Sequence, residues 1–221
     1  MELMQTALVG PRSADDNSQG FLRIGKSGEV IVQQLYGKYA ELTVRGKVFA
    51  ARTAAALAIP VQTTLTNSPT LWNPTSSGKL LLPLKVLLSP AAIGTPVLQG
   101  FGLGYLRNTG DSVAVGLPLA TFTNVAPVCT LLNGAACVAQ FAGATVTFTT
   151  QPAVIMDLGF GHWIEGAAAS GGTAYLGFDL DGTLIMPPGT SITLASLTTA
   201  TSTTYWVTIL FAEVSLPAGW A

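Results

Sequence analysis

The run TTYWVTILFAEVSL, residues 203–216, decides the fold. Tyr205, Val207, Ile209 and Phe211 fall on one side of an extended chain, and Trp206, Thr208, Leu210 and Ala212 fall on the other. Successive side chains of a strand point to opposite faces, so this period of two reads as β. The β-branched and aromatic content agrees. Both sides are largely apolar, which predicts that both are covered. One face meets the core; the other meets either a neighbouring subunit or an overlying arm.

Runs of the same character recur upstream. They include PTLWNP (69–74), KLLLPLKVLLS (79–89), PVLQGFGLGYLR (96–107), SVAVGLPLATFT (112–123), ATVTFTT (144–150) and AVIMDLGF (153–160). TAYLGFDL (173–180), TLIMPPG (183–189) and TSITLASLTT (190–199) follow. Gly, Pro and Asn separate them at turn-like intervals, and no helical periodicity is sustained over more than about ten residues. The expected class is all-β: a jelly-roll-like sandwich or barrel with an extended N-terminal arm.

Charge divides the chain. Residues 1–52 hold twelve of the twenty-one charged side chains, and no Lys or Arg follows Arg107. Residues 1–52 are therefore expected to form an arm of short strands, including Leu42–Val44 and Val48–Ala50, separated by the turn-like YGK and RGK. Residues 53–221 are expected to form the sandwich. ARTAAALAIP (51–60) predicts one helical turn ended by Pro60.

Apolar residues make up 49 % of the chain and charged ones 10 %, with a net charge of −1. This balance suggests neither a nucleic-acid partner nor an anionic membrane surface. A surface so poor in charge is expected to be carried by Ser and Thr and covered in part by partner subunits. The long uncharged run 113–156 is broken by Pro118, Pro127 and Pro152, so no membrane span is expected. The N-terminus lacks the basic region and apolar core of a signal peptide, and the protein is expected to stay in the cell that makes it. With Asn133-Gly134 as a two-residue hairpin turn, Cys129 and Cys137 point to opposite sides of the ribbon. Free, buried thiols are expected; a disulfide would need a five-residue loop, Leu131–Ala135. The only histidine, His162, lies well away in sequence, so neither a metal site nor a cofactor is expected.

Two stretches spell enzymes. DLDGTL (179–184) matches the opening motif of haloacid-dehalogenase-like phosphatases, in which the first Asp attacks phosphorus. That chemistry needs a parallel sheet flanked by helices, and a later Lys and acidic pair. After Asp181 the chain has one acid, Glu213, and no Lys. Asp181-Gly182 is instead a strong turn signal, and a hairpin is expected. GFLRIGKS (20–27) fits the phosphate-loop pattern, but PRSADDNSQ before it is no strand and GEVIVQQL after it is no helix. His162, with Asp157 and Glu165 nearby in sequence, is more simply a loop residue than an acid–base centre. No catalytic residue is assigned.

LWNPTSSGKLLLPLKVLLS (71–89), the ending DLDGTLIMPPGTSITLASLTTATSTTYWVTILFAEVSLP (179–217) and the opening GEVIVQQLYGKYAELTVRGKVFAARTA (28–54) resemble virion proteins of tailed phages. The similarity spans most of residues 20–217. It implies a jelly-roll capsid decoration, or cement, protein, usually trimeric, on the outside of the head. The implied partners are the major capsid protein and two further copies of the chain. Arg23, Lys26, Arg45, Lys47 and Arg52 are the expected contacts with acidic patches of the shell. Trp206, Thr208 and Leu210 are the expected subunit interface. The rival expectation is a fibre-head or receptor-binding domain that grips host glycans, with Trp163 as a stacking surface and Glu165 as an acceptor.

Overall fold

The computed structural model describes residues 38–61, 68–92, 98–107, 123–124, 126–127, 137–143, 148, 152–162, 176–198 and 203–216. One short helix and eleven strands are present among them. The helix α1 covers Ala40–Val44, and the strands are β1 (Val48–Arg52), β2 (Thr70–Asn73), β3 (Lys79–Ala92) and β4 (Leu98–Arg107). Then come β5 (Thr123–Asn124), β6 (Ala126–Pro127), β7 (Gln140–Ala142) and β8 (Ala153–His162). The last three are β9 (Leu176–Asp179), β10 (Thr190–Ser196) and β11 (Thr204–Ser215).

Two antiparallel sheets form, in the orders β6-β1-β11-β3-β9 and β5-β7-β2-β10-β4-β8. Leaving aside the small strands β5–β7, the pairing is nested. The first strand pairs with the last, the second with the second-last, and β3 with β9 and β4 with β8 follow inward. The pairs β11·β3 and β10·β4 then stitch the nested hairpins side by side. This is a long hairpin rolled up into two sheets, which is the jelly-roll arrangement. The all-β expectation holds, and the strand order makes it specific.

The core lies between the sheets. Tyr205, Val207, Ile209 and Phe211 are fully buried, as the alternation predicted, against Phe101, Leu103, Ile192 and Leu194 of the facing sheet. Phe101 meets Tyr205 edge-on at 5.4 Å, and Phe49 stacks on Phe211 at 5.7 Å. Burying each such side chain contributes about 1.5–3 kcal/mol. The long strand β3 tolerates Pro83 and Pro90 because each sits beside a register shift in its ladder with β11. Proline cannot donate to a ladder, and a bulge is where that loss is least costly.

Three expectations change. The chain divides into compact units at residues 1–41 and 42–221, so the boundary is not at 52/53. β1 is an internal strand between β6 and β11, and Phe49 and Ala51 belong to the core. Residues 42–44 are helical, not a strand. Gly46, at φ 68°, ends the helix, donating its N–H to Thr43 O while Lys47 N–H reaches Leu42 O. That pair of bonds is a glycine-capped helix end, and it explains the RGK turn signal. Residues 51–60 make no helical turn: Leu57 bridges Tyr205, Ile59 is buried and Val61 bridges Ser196. Apolar burial against both sheets outweighs the helix propensity of the five alanines in this stretch. Residues 1–37, with most of the expected arm, lie outside the described residues.

Candidate functional site

The site is the outer face of the sheet β1-β11-β3-β9, and its residues follow from the alternation. Where Phe49, Ala51, Val207, Ile209, Val86 and Leu88 point into the core, their neighbours must point out. Ladder registers then fix two rows across the sheet. One is Ala50–Leu210–Lys85–Asp179, and the next is Arg52–Thr208–Leu87–Gly177, with Trp206 beside Ser89 beyond them.

The centre of this face is apolar and half-buried, made by Trp206, Leu210 and Leu87. Its two sides are charged. On the β1 side the exposed Arg52 lays its guanidinium over the Trp206 ring, 4.8 Å from the centroid. Such a contact over an aromatic face is attractive by about 0.5–1 kcal/mol at an exposed site. On the β9 side Lys85 Nζ lies 3.0 Å from Asp179 Oδ1, and the Asp179 side chain is 61 % exposed.

The expected interface residues Trp206, Thr208 and Leu210 therefore do share one outward face, and none is fully covered by the described chain. Three of the five expected shell contacts lie among the described residues. Arg23 and Lys26 lie outside the described residues. Arg45 follows α1 and is half-buried, Lys47 is exposed at the start of β1, and Arg52 is exposed at its end. Of the five, Arg52 alone reaches the face around Trp206 among the described residues. Sequence reading missed Lys85 and Asp179 as members of this face. The alternation of β3 put Lys85 outward, but nothing local said that β9 would lie beside it.

The phosphatase-like letters have a structural use. Asp181 (φ 49°) and Gly182 (φ 76°) both take left-handed backbone, and Thr183 donates its N–H to Leu180 O at 2.8 Å. These are the marks of a type I′ turn. The expected hairpin is not formed, because the chain does not fold back on itself. β9 runs along β3 to Lys85↔Asp179, leaves it, and rejoins the same strand at Leu81↔Met186. The carbonyl of Leu84, at the β3 bulge, accepts from both Leu180 N–H and Asp181 N–H. Asp179 thus sits in an ion pair on a sheet edge.

The second sheet has its own surface feature. Gly100, Gly102 and Gly104 stand at alternate positions of β4, and side chains from neighbouring segments lie on the backbone they leave bare: Phe160 over Gly100, Leu197 over Gly102, and Thr193 and Pro152 over Gly104. Ile155 and Phe160 remain exposed. A cavity of about 20 Å³ near Gly104, Pro60, Phe148 and Thr193 has room for about one water and is too small for a substrate.

Cys137 is a free, buried thiol, as expected, and Cys129 lies outside the described residues. Cys137 Sγ donates to Glu213 Oε2 at 3.3 Å, and Val138 N–H donates to the same oxygen at 3.0 Å. Burial raises the thiol well above its ordinary range and the Glu213 carboxylate adds to this; the N–H of Ala139, which donates to the sulfur, opposes it. A thiol so held is a poor nucleophile. Asp157 is exposed on β8; Trp163 and Glu165, like the phosphate-loop look-alike at 20–27, lie outside the described residues. Among the described residues no group of three or more His, Cys, Asp or Glu could hold a metal, and no helix is long and apolar enough to cross a membrane. No protein-family model, curated protein or solved structure matches the chain.

Proposed function

We propose that the protein is a structural virion component, a capsid decoration (cement) protein that binds the outside of a tailed-phage head as a homotrimer. One observation carries the reading: the half-buried, charge-flanked face of Trp206, Leu210 and Leu87 on a jelly-roll sheet. A cement protein bridges shell subunits against internal pressure and needs contact area more than reactive groups. The face supplies area for self-association. The reading assigns no catalysis and no cofactor. In it, the segment ahead of the sandwich, with Arg23 and Lys26, contacts the major capsid protein.

The test is the mass in solution together with binding to empty phage shells. A species near three times 22.8 kDa that co-sediments with shells is expected. Removal of residues 1–41 should keep the trimer and lose the shell; removal to residue 52, by contrast, would take β1 out of the sheet. A monodisperse monomer, or a trimer that ignores shells with or without the segment, would overturn the reading.

A further inference from the structure

Arg52 stands on one side of the Trp206 face, and the exposed Asp179 carboxylate, paired with Lys85, stands on the other. Neighbouring strands lie about 4.8 Å apart, so Arg52 on β1 and Asp179 on β9, three strand steps apart, flank a face roughly 14 Å wide. Among the described residues Arg52 has its contact with the Trp206 ring and no carboxylate. Asp179 holds Lys85 with one oxygen and is otherwise largely open to solvent.

We infer that the occupant of this face is a second and a third copy of the same chain, arranged head to tail, with Arg52 of each copy seated against Asp179 of the next. The inference rests on the trimer proposed above and adds its contact. A head-to-tail contact repeats around a rotation axis and closes when the rotation is right. Three faces turned toward one axis bring the Arg52 side of each against the Asp179 side of its neighbour at every corner. The apolar centres, Trp206, Leu210 and Leu87, then fill the axis. Charge complementarity of this kind sets register and rejects wrong pairings, since like charges brought together cost several kcal/mol. Arg52 is suited to the role, because a guanidinium can stack on Trp206 and still offer its edge to a carboxylate.

The experiment uses the full chain in two forms. In the first, Arg52→Glu and Asp179→Arg are made singly and together, and the concentration at which the oligomer dissociates is measured by light scattering. Each single change should raise it at least ~10-fold, and the double change should bring it back to within roughly threefold of the parent. Thermal melts check that each variant is folded; where Asp179→Arg is not, Asp179→Asn takes its place with a smaller expected rise. In the second, Arg52→Cys/Asp179→Cys is made in a Cys129→Ser/Cys137→Ala background. The two positions are too far apart in one chain for a disulfide, so any bond joins copies. Oxidation should give a covalent ring of three on a non-reducing gel.

A covalent product of two copies only would overturn the ring. An oligomeric parent whose assembly ignores both single changes, with no crosslink, would overturn the contact and leave the trimer standing. A monomeric parent would remove the trimer and this contact together.

Discussion

The Arg52 guanidinium lies over the Trp206 ring at 4.8 Å, joining the end of β1 to the outer face of β11. The two residues sit on adjacent strands, diagonal to the Arg52–Thr208 pair. Arg52→Ala should lower stability by about 0.5–1 kcal/mol, and Arg52→Lys should recover only part of it because an ammonium stacks less well on the indole. Urea unfolding of the dissociated protein measures both. No change in either variant would show that the contact adds nothing in solution.

The glycines of β4 differ in what surrounds them. A Cβ at Gly104 would stand 3.0 Å from Thr193 Cγ2 and 3.1 Å from Pro152 Cβ, both near the backbone. At Gly100 the closest atom, 2.7 Å away, is the ring edge of the exposed Phe160, which can swing aside. Gly104→Ala should therefore cost about 1–3 kcal/mol and Gly100→Ala markedly less. Melting of the two variants side by side gives the order; the reverse order would contradict the packing.

Gly182 has open space around it, with nothing within 4 Å of an added Cβ. Its φ of 76° is the only obstacle to a side chain. Gly182→Ala is expected to cost about 1–2 kcal/mol through backbone strain alone, and Gly182→Asn less, since Asn tolerates this region. Equal stabilities for the three residues at 182 would mean that the turn relaxes freely.

Cys137 makes stability depend on alkaline pH. Its folded-state ionisation lies above that of an unfolded cysteine, near 8.5, so above that pH the unfolded chain loses a proton that the folded chain keeps. Stability from this group is complete below about pH 8.5 and falls as pH rises, by up to roughly 1.4 kcal/mol per unit. Comparing urea midpoints at several alkaline pH values with those of Cys137→Ala isolates the effect. A parallel pH profile in the variant would remove it. In a Cys129→Ser background, the remaining thiol should also resist a thiol reagent until the protein unfolds.

Much of the sandwich was legible because side-chain alternation is local. The period of two in 203–216 placed Tyr205, Val207, Ile209 and Phe211 inward and Trp206, Thr208 and Leu210 outward, and both assignments hold. Asp181-Gly182 was legible as a turn because few residues accept left-handed backbone. Its partner was not, since a hairpin and a detour along β3 use the same letters. Charge density misplaced the boundary: it counted Lys47 and Arg52 as arm, while Phe49 and Ala51 between them were already core.

By itself the sequence determined that the chain is all-β, which residues of its strands face inward, and where several turns fall. Those properties depend on neighbours one to three positions away. Only the tertiary structure decided that β1 pairs with β11, that Lys85 meets Asp179, and that Arg52 reaches Trp206. Alternation says which face a residue occupies and is silent on which strand lies alongside. That choice was made by closing two sheets over one core, with bulges at the prolines of β3 setting the register.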